Sequence, residues 1–388
     1  MRLKEEATKL AKNIFTFWKN LKDEENGGFF GYVDSSLNVD KKYKKGVTLN
    51  SRILYFFSEY YLTFKDEEAK ELASHAYKFM CEAVDTTYGG VYWSLDYKGN
   101  VLENIKHTYN IAFAIYALSY YYEVTKSDKV KNLAMNLFHV IETKCKKEDG
   151  NYLEEGNVDF SFKNNDILSE NGVNATYSMN LILHLIEAYT ALQKFIPSKE
   201  VKDALIYVTR MLIDKIYNKE KSRLEVFFDE NFNSLIDLES YGHEIEASWL
   251  LLEASEVIND KQITSEIEVI STNLASYVKN RAYYHPFIIN ECERGKKDLT
   301  KVWWVEAEAV NGYLYQYSLH HDDKDLKLAE NILSAIEEYF VDKKKGSEWF
   351  YSLDENNKPN LDRPIVEPWK CPYHNGRMCF EIIRKAEE

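Results

Sequence analysis

The stretch Tyr241-Gly242-His243-Glu244-Ile245-Glu246-Ala247-Ser248-Trp249 places a base, a carboxylate and an aromatic plate within one short segment. At helical spacing His243, Glu246 and Trp249 stand at i, i+3 and i+6, near one face, while Ile245 and Leu250-Leu251-Leu252 supply packing surface. Gly242 lets backbone come close to whatever occupies that face. A histidine in the first turn also sits at the positive end of the helix dipole, which favours its neutral, basic form. The ordinary explanation of a lone histidine is a half-buried ring bonded to its own helix. That explanation loses ground because similar helix starts recur.

Those other starts carry Arg52; Tyr109; Asn180 and His184; Trp303, Trp304, Glu306 and Glu308; and His374 with Asn375. Taken singly, each has a structural reading: a salt-bridged arginine, a core tryptophan, a solvated acid, a capping histidine. Together they are too many polar groups to assign to packing, and a polar pocket is the simpler account. His243 and Glu246 at H-x-x-E spacing offer two metal ligands, but the paired-histidine helix of zinc enzymes is missing, so no metal is expected. No phosphate loop, dinucleotide fingerprint or nucleophile elbow occurs either, and no cofactor is expected. His75, His107, His139, His285, His320 and His321 fall in outer-helix or loop contexts and are read as structural or exposed.

The elements that position these residues repeat. Gly27-Gly28-Phe29-Phe30-Gly31-Tyr32-Val33-Asp34 precedes an apolar helical run from Asn50 to Tyr61, and Gly89-Gly90-Val91-Tyr92-Trp93-Ser94-Leu95-Asp96 precedes another from Tyr109 to Tyr122. Weaker copies lie at Gly150-Asn151-Tyr152, Leu224 to Asp229 and Pro286 to Ile289, and a clear one at Glu348 to Asp354. The period is roughly 60 to 75 residues, giving about six units. Each unit has room for a second, amphipathic helix, such as Glu68 to Val84, Ser127 to Lys144 and Ser198 to Ile216. Helices apolar all round are buried and those with one polar face cover them. Six such pairs closing on themselves predict an all-α (α/α)6 barrel, with the short strand signals gathered as hairpins at the end where the inner helices begin. Residues 1–388 are read as a single catalytic domain, since no Gly/Ser-rich or single-charge linker divides them.

The chain has 388 residues and a net charge of −14, which argues against nucleic acid or an anionic membrane as partner. Aromatic residues make up 14%, with 29 tyrosines, more than a core requires, and aromatic faces and hydroxyls suit sugars. Five cysteines without C-x-x-C spacing point to reduced thiols and a cytoplasmic location. The first residues read as an amphipathic helix, not an export signal, and no apolar run approaches a membrane span. A monomer acting on a small molecule is expected.

Five motifs carry a family resemblance: Gly46-Val47-Thr48-Leu49-Asn50-Ser51-Arg52, Gly89 to Ser94, Ser240 to Trp249, Trp303-Trp304-Val305-Glu306-Ala307-Glu308, and Trp369-Lys370-Cys371-Pro372-Tyr373-His374-Asn375. Along essentially the whole chain they resemble the cellobiose 2-epimerases of the N-acylglucosamine 2-epimerase superfamily. The resemblance implies an (α/α)6 barrel and a cofactor-free exchange of glucose and mannose at the reducing end of a β-1,4-linked disaccharide. It implies functional roles for Arg52, His243, Glu246, Trp249, Trp304, Glu308 and His374, with Asn180, His184 and Trp369 also in the pocket. In the third repeat the family's usual Lys and first His are replaced by Tyr177 and Ile182, which bears on substrate preference and rate.

Inverting a C2 hydroxyl requires ring opening, removal of the C2 proton, and return of a proton to the other face of an enediolate. On this reading His243 and His374 are the two bases, Arg52, Asn180 and His184 hold the oxyanion, and Glu246 orients His243. Trp303, Trp304, Trp369, Tyr109 and Trp249 contact sugar, and Glu308 bonds hydroxyls of the second ring. Reprotonation at C1 predicts slow ketose formation. The alternatives are an N-acylglucosamine 2-epimerase or a mannose isomerase, an inverting glycoside hydrolase working through Glu246 and Glu308, and a non-catalytic sugar binder.

Overall fold

The computed structural model describes residues 2–161 and 172–386. Among them are twelve α-helices: α1 (Arg2–Lys19), α2 (Val47–Phe64), α3 (Glu67–Glu82), α4 (Thr108–Thr125), α5 (Asp128–Val140), α6 (Met179–Phe195), α7 (Lys199–Met211), α8 (Tyr241–Ile258), α9 (Lys261–Arg281), α10 (Trp303–His320), α11 (Asp323–Ala335) and α12 (His374–Lys385). The even-numbered helices pack in sequence, and α12 returns to α2. They form the inner ring of an (α/α)6 barrel, and α3, α5, α7, α9, α11 and α1 form the outer ring. The last inner helix, α12, is covered by the first outer one, α1.

Sequence pattern decides which ring a helix joins. Helix α8 is buried almost from end to end, from Tyr241 to Ile258, whereas α3 buries only Ala69, Leu72, Ala73, Ala76, Phe79 and Met80, a single stripe at helical spacing. Each buried Leu or Phe on such a stripe contributes about 1.5–3 kcal/mol. The turn from inner to outer helix is built alike in several repeats. Lys65, Lys126, Asn259 and His321 each adopt a left-handed conformation, with φ between 50° and 57°. After three of them, Asp66, Asp260 and Asp322 cap the outer helix by accepting backbone N–H bonds. The seam between α12 and α2 depends on Gly376, where a Cβ would lie 2.5 Å from the Phe56 ring.

Short antiparallel hairpins lead into the inner helices, for example Lys45–Gly46 against Ser94–Leu95 and Leu238–Ser240 against Glu291–Glu293. Their tips repeat one turn, in which Asp34, Asp96, Asp229 and Asp354 each accept the N–H four residues on, at 2.8 to 2.9 Å. Beneath two of the hairpins, buried Lys45 and Lys106 pair with Asp23 and Asp85 at 2.7 Å. Tyr177 takes the equivalent place in the third repeat. Its hydroxyl donates to Asp149 at 3.3 Å and accepts from Lys147 at 2.6 Å, so a phenol replaces the lysine of an ion pair. No helix among the described residues is long and apolar enough to cross a membrane.

Candidate active site

A cavity of about 450 Å³ opens where the inner helices begin. All six contribute to its wall: Arg52 from α2, Tyr109 from α4, Asn180 and His184 from α6, His243 and Glu246 from α8, Trp303 and Trp304 from α10, and His374 from α12, with Trp369 just ahead of it. The hairpins add Ser240, Tyr351 and Ser352, from stretches the sequence marks, and Asn290, Glu291, Thr300, Asn360 and Arg363, a polar outer wall that no motif in the sequence singled out.

Three histidines reach this cavity. Trp304 lies close to two of them, its ring centroid 4.9 Å from that of His243 and 5.4 Å from that of His374. Nδ1 of His374 is 2.7 Å from Glu308 Oε1, and Nδ1 of His184 is 2.8 Å from Glu187 Oε2. A carboxylate accepts only from a protonated nitrogen, so both rings carry Nδ1–H and keep a lone pair on Nε2. Nδ1 of His243 instead meets Ser240 Oγ at 2.7 Å. Burial pushes all three histidines below the ordinary range, His243 to about 3, and the Arg377 and Arg52 charges push His374 further down. At neutral pH the site holds three uncharged bases.

Arg52 is the cavity's available cation. It is buried and donates to Tyr109 Oη at 2.7 Å, and its guanidinium rests on the faces of Phe113 and Tyr373 at 4.1 and 4.7 Å from the ring centroids. Among the described residues it forms no direct ion pair with a carboxylate. A positive charge held on aromatic faces remains open to an anion in the cavity.

Several residues stand elsewhere than the spacing suggested. Trp249 is buried behind the cavity and outside its wall, donating its indole N–H to Glu308 Oε2 at 3.0 Å. Glu308 is fully buried behind the cavity wall, with its oxygens committed to His374, Arg377 and Trp249. Glu246 does not hold His243: its Oε1 accepts from Arg377 at 2.5 Å, and Nδ1 of His243 turns back to Ser240. Glu306 faces the hairpin and accepts the Ile288 N–H, and Asn375 bonds Glu348. His107 sits buried at the head of α4 beside Trp93 and Tyr109.

Arg377, Glu187, Ser240 and Tyr373 were not read from the sequence as site residues. Glu187 had a signal, since His184 and Glu187 repeat the H-x-x-E spacing of His243 and Glu246. Ligand-type atoms of Glu246, Glu308 and His374 lie within 4.8 Å of one another, but the Arg377 guanidinium already occupies both carboxylates, so this donor set does not fit a metal ion. The same closeness counts against an inverting hydrolase, whose two carboxyl groups stand about 6.5–9.5 Å apart.

The N-acylglucosamine 2-epimerase family profile matches residues 14–375. The chain belongs to that family. It is 43% identical to a cellobiose 2-epimerase of Eubacterium cellulosolvens, over 98% of this chain and 97% of the relative, and 42% identical to one of Ruminococcus albus, over 100% and 99%. The solved cellobiose 2-epimerase of Bacillus thermoamylovorans superposes with a TM-score of 0.94 at 39% identity, covering 98% of both chains. The protein is therefore a carbohydrate epimerase of the (α/α)6-barrel type.

Proposed function

We propose that the protein interconverts glucose and mannose at the reducing end of β-1,4-linked disaccharides, cellobiose in the first instance, by proton transfer at C2. The observation that carries this reading is the pair of neutral imidazoles, His243 and His374, entering one cavity from different helices and both close to Trp304. Two bases on the wall of one cavity suit a carbon that loses its proton from one face and regains it on the other.

One histidine takes the C2 proton of the open-chain aldose through Nε2, giving a cis-enediolate and an imidazolium. Arg52 stabilises the negative charge developing on O1 and O2, with Asn180 and His184 as further donors. The enediolate's negative charge then draws a proton from solvent onto the other histidine, which delivers it to the opposite face after the enediolate turns about the C2–C3 bond, while the first histidine releases its proton to solvent. Only protons move, so no redox group is called for. Glu308 orients His374 through Nδ1, Glu187 does the same for His184, and Ser240 does so for His243. Trp304 and Trp369 supply faces for the sugar rings.

A cavity of about 450 Å³ is large for a single hexose, which favours the disaccharide over the monosaccharide enzymes of the family. The test is the product mixture from cellobiose, read by chromatography. Glucosyl-mannose with the linkage intact is expected, with lactose giving epilactose and a minor ketose. Activity confined to free mannose or N-acetylglucosamine would overturn the substrate assignment.

A further inference from the structure

Beneath the cavity histidines lies a charge cluster of which Glu246 reaches the cavity wall while Arg377, Glu187 and Glu308 stand behind it. Arg377 of α12 is buried, and its guanidinium bonds carboxylates from three other inner helices. Nη2 lies 2.5 Å from Glu246 Oε1 and 2.8 Å from Glu308 Oε1, while Nη1 bonds Glu187 Oε1 and the Tyr373 hydroxyl. Two of those carboxylates in turn hold cavity histidines: Glu308 holds His374 and Glu187 holds His184. Every oxygen that matters is committed. Glu187 gives Oε1 to Arg377 and Oε2 to His184, and Glu308 Oε1 serves both Arg377 and His374 while Oε2 takes Trp249 Nε1.

We propose that Arg377 is a positioning residue for proton transfer: by clamping Glu308 and Glu187 it fixes Nδ1–H of His374 and His184 on carboxylates and turns both Nε2 lone pairs to the cavity. The proposal rests on the epimerase reading of the site. Three buried carboxylates from α6, α8 and α10 repel one another, and the guanidinium is the cation that lets them converge. Its planar fork serves partners on several sides at once, which an ammonium does not. The positive charge also has a direct effect. After burial, it is the largest influence holding His374 in its neutral form.

The cluster is reachable from its far side. A second cavity, of about 140 Å³, opens at the C-terminal ends of α4, α6 and α8 and is bordered by Glu187, Thr190 and Glu253. A small cation entering there meets the carboxylate that Arg377 bonds.

The experiment is Arg377→Ala, assayed on cellobiose with and without millimolar guanidinium ion. We expect kcat to fall at least about 100-fold, as misset tautomers do in other histidine–carboxylate pairs, with KM within about threefold. Loss of the Arg377 charge lets the His374 pKa rise, so the acid limb of the rate profile moves to higher pH, and guanidinium restores at least about tenfold in rate. A rate near that of the native protein overturns the proposal, as does a loss that leaves the acid limb in place and ignores guanidinium. Where Arg377→Ala fails to fold, Glu187→Gln decides: a kcat at least about tenfold lower supports positioning, and an unchanged kcat refutes it. Should the native protein leave cellobiose untouched, the functional reading fails on its own. Positioning is then read in the ligand-free protein, from the strongly downfield Nδ1–H protons of His184 and His374 and their loss in the variant.

Discussion

A single methyl group at position 242 tests how tightly the site is set. A Cβ on Gly242 would fall 2.4 Å from Trp304 Cη2, 2.6 Å from Cζ3 and 2.8 Å from Val305 Cγ2. Carbon atoms pack at about 3.5 Å, so the indole must move by about 1 Å. His243 and His374 hem it in at centroid distances of 4.9 and 5.4 Å, and the open direction is the cavity itself, where the sugar belongs. Overpacking of this kind costs about 1–3 kcal/mol of stability, a few degrees in Tm for a chain of this size. The kinetic cost is larger, because a misplacement of about 1 Å at a reacting centre lowers the rate about 100-fold. Gly242→Ala therefore gives a folded protein with kcat/KM on cellobiose reduced about 100-fold, measured from initial rates of mannose-type reducing-end formation alongside a thermal melt. A folded variant within threefold of the native rate would refute the role given to Trp304.

Other expectations follow from the same geometry. Glu308→Gln offers His374 an amide that can present N–H to Nδ1 and favour the wrong tautomer, so kcat should fall about 1,000-fold or more while binding of a non-reacting disaccharide analogue is kept. The bases act when neutral and their folded pKa values lie below the ordinary 6.5, so kcat/KM should stay level down past pH 6.5, and an acid limb near pH 7 would contradict the burial argument. For stability the sign is that the unfolded chain binds protons below about pH 6.5 while folded His243 does so only near pH 3, so Tm should drop as pH falls through that window. Tyr177→Phe removes a hydroxyl and its two hydrogen bonds away from the cavity and should cost about 1–3 kcal/mol of stability while leaving kcat/KM within twofold.

The barrel was legible because its cause is a pattern. Helices such as Asn50 to Tyr61 are apolar all round, their partners carry one apolar stripe, and short aromatic strands mark each hairpin, so ring, cover and site end follow from periodicity alone. Residues facing the cavity were legible for the same reason, since position in the first turns fixes them: Arg52, His184, His243 and His374 all line it. Partnerships were not legible. His243-x-x-Glu246 and His184-x-x-Glu187 have identical spacing, and Arg377 of α12 bonds both glutamates, yet only the second pair bonds, because Nδ1 of His243 turns back to Ser240. Trp249 and Glu308 likewise share a face with the site, but one lies a layer deeper and bonds the other, a matter of radial depth that helical phase does not report. The Tyr177 departure bore on substrate preference because it replaces the lysine usual in the family. It proves to occupy the lysine position of an ion pair beneath the hairpin.

The measurement that tests the central claim most directly is proton exchange at C2 in heavy water, followed by NMR separately for cellobiose and for its glucosyl-mannose epimer, in the native protein and in His243→Ala and His374→Ala. Two bases on opposite faces predict deuterium at C2 of both epimers with the native protein and no epimerisation by either variant. Each variant should still exchange the one epimer whose C2 hydrogen faces the histidine it retains. Exchange of both epimers by a single variant, or epimerisation by the native protein in heavy water that leaves the original C2 hydrogen in place, would contradict the assignment of His243 and His374 as the paired bases.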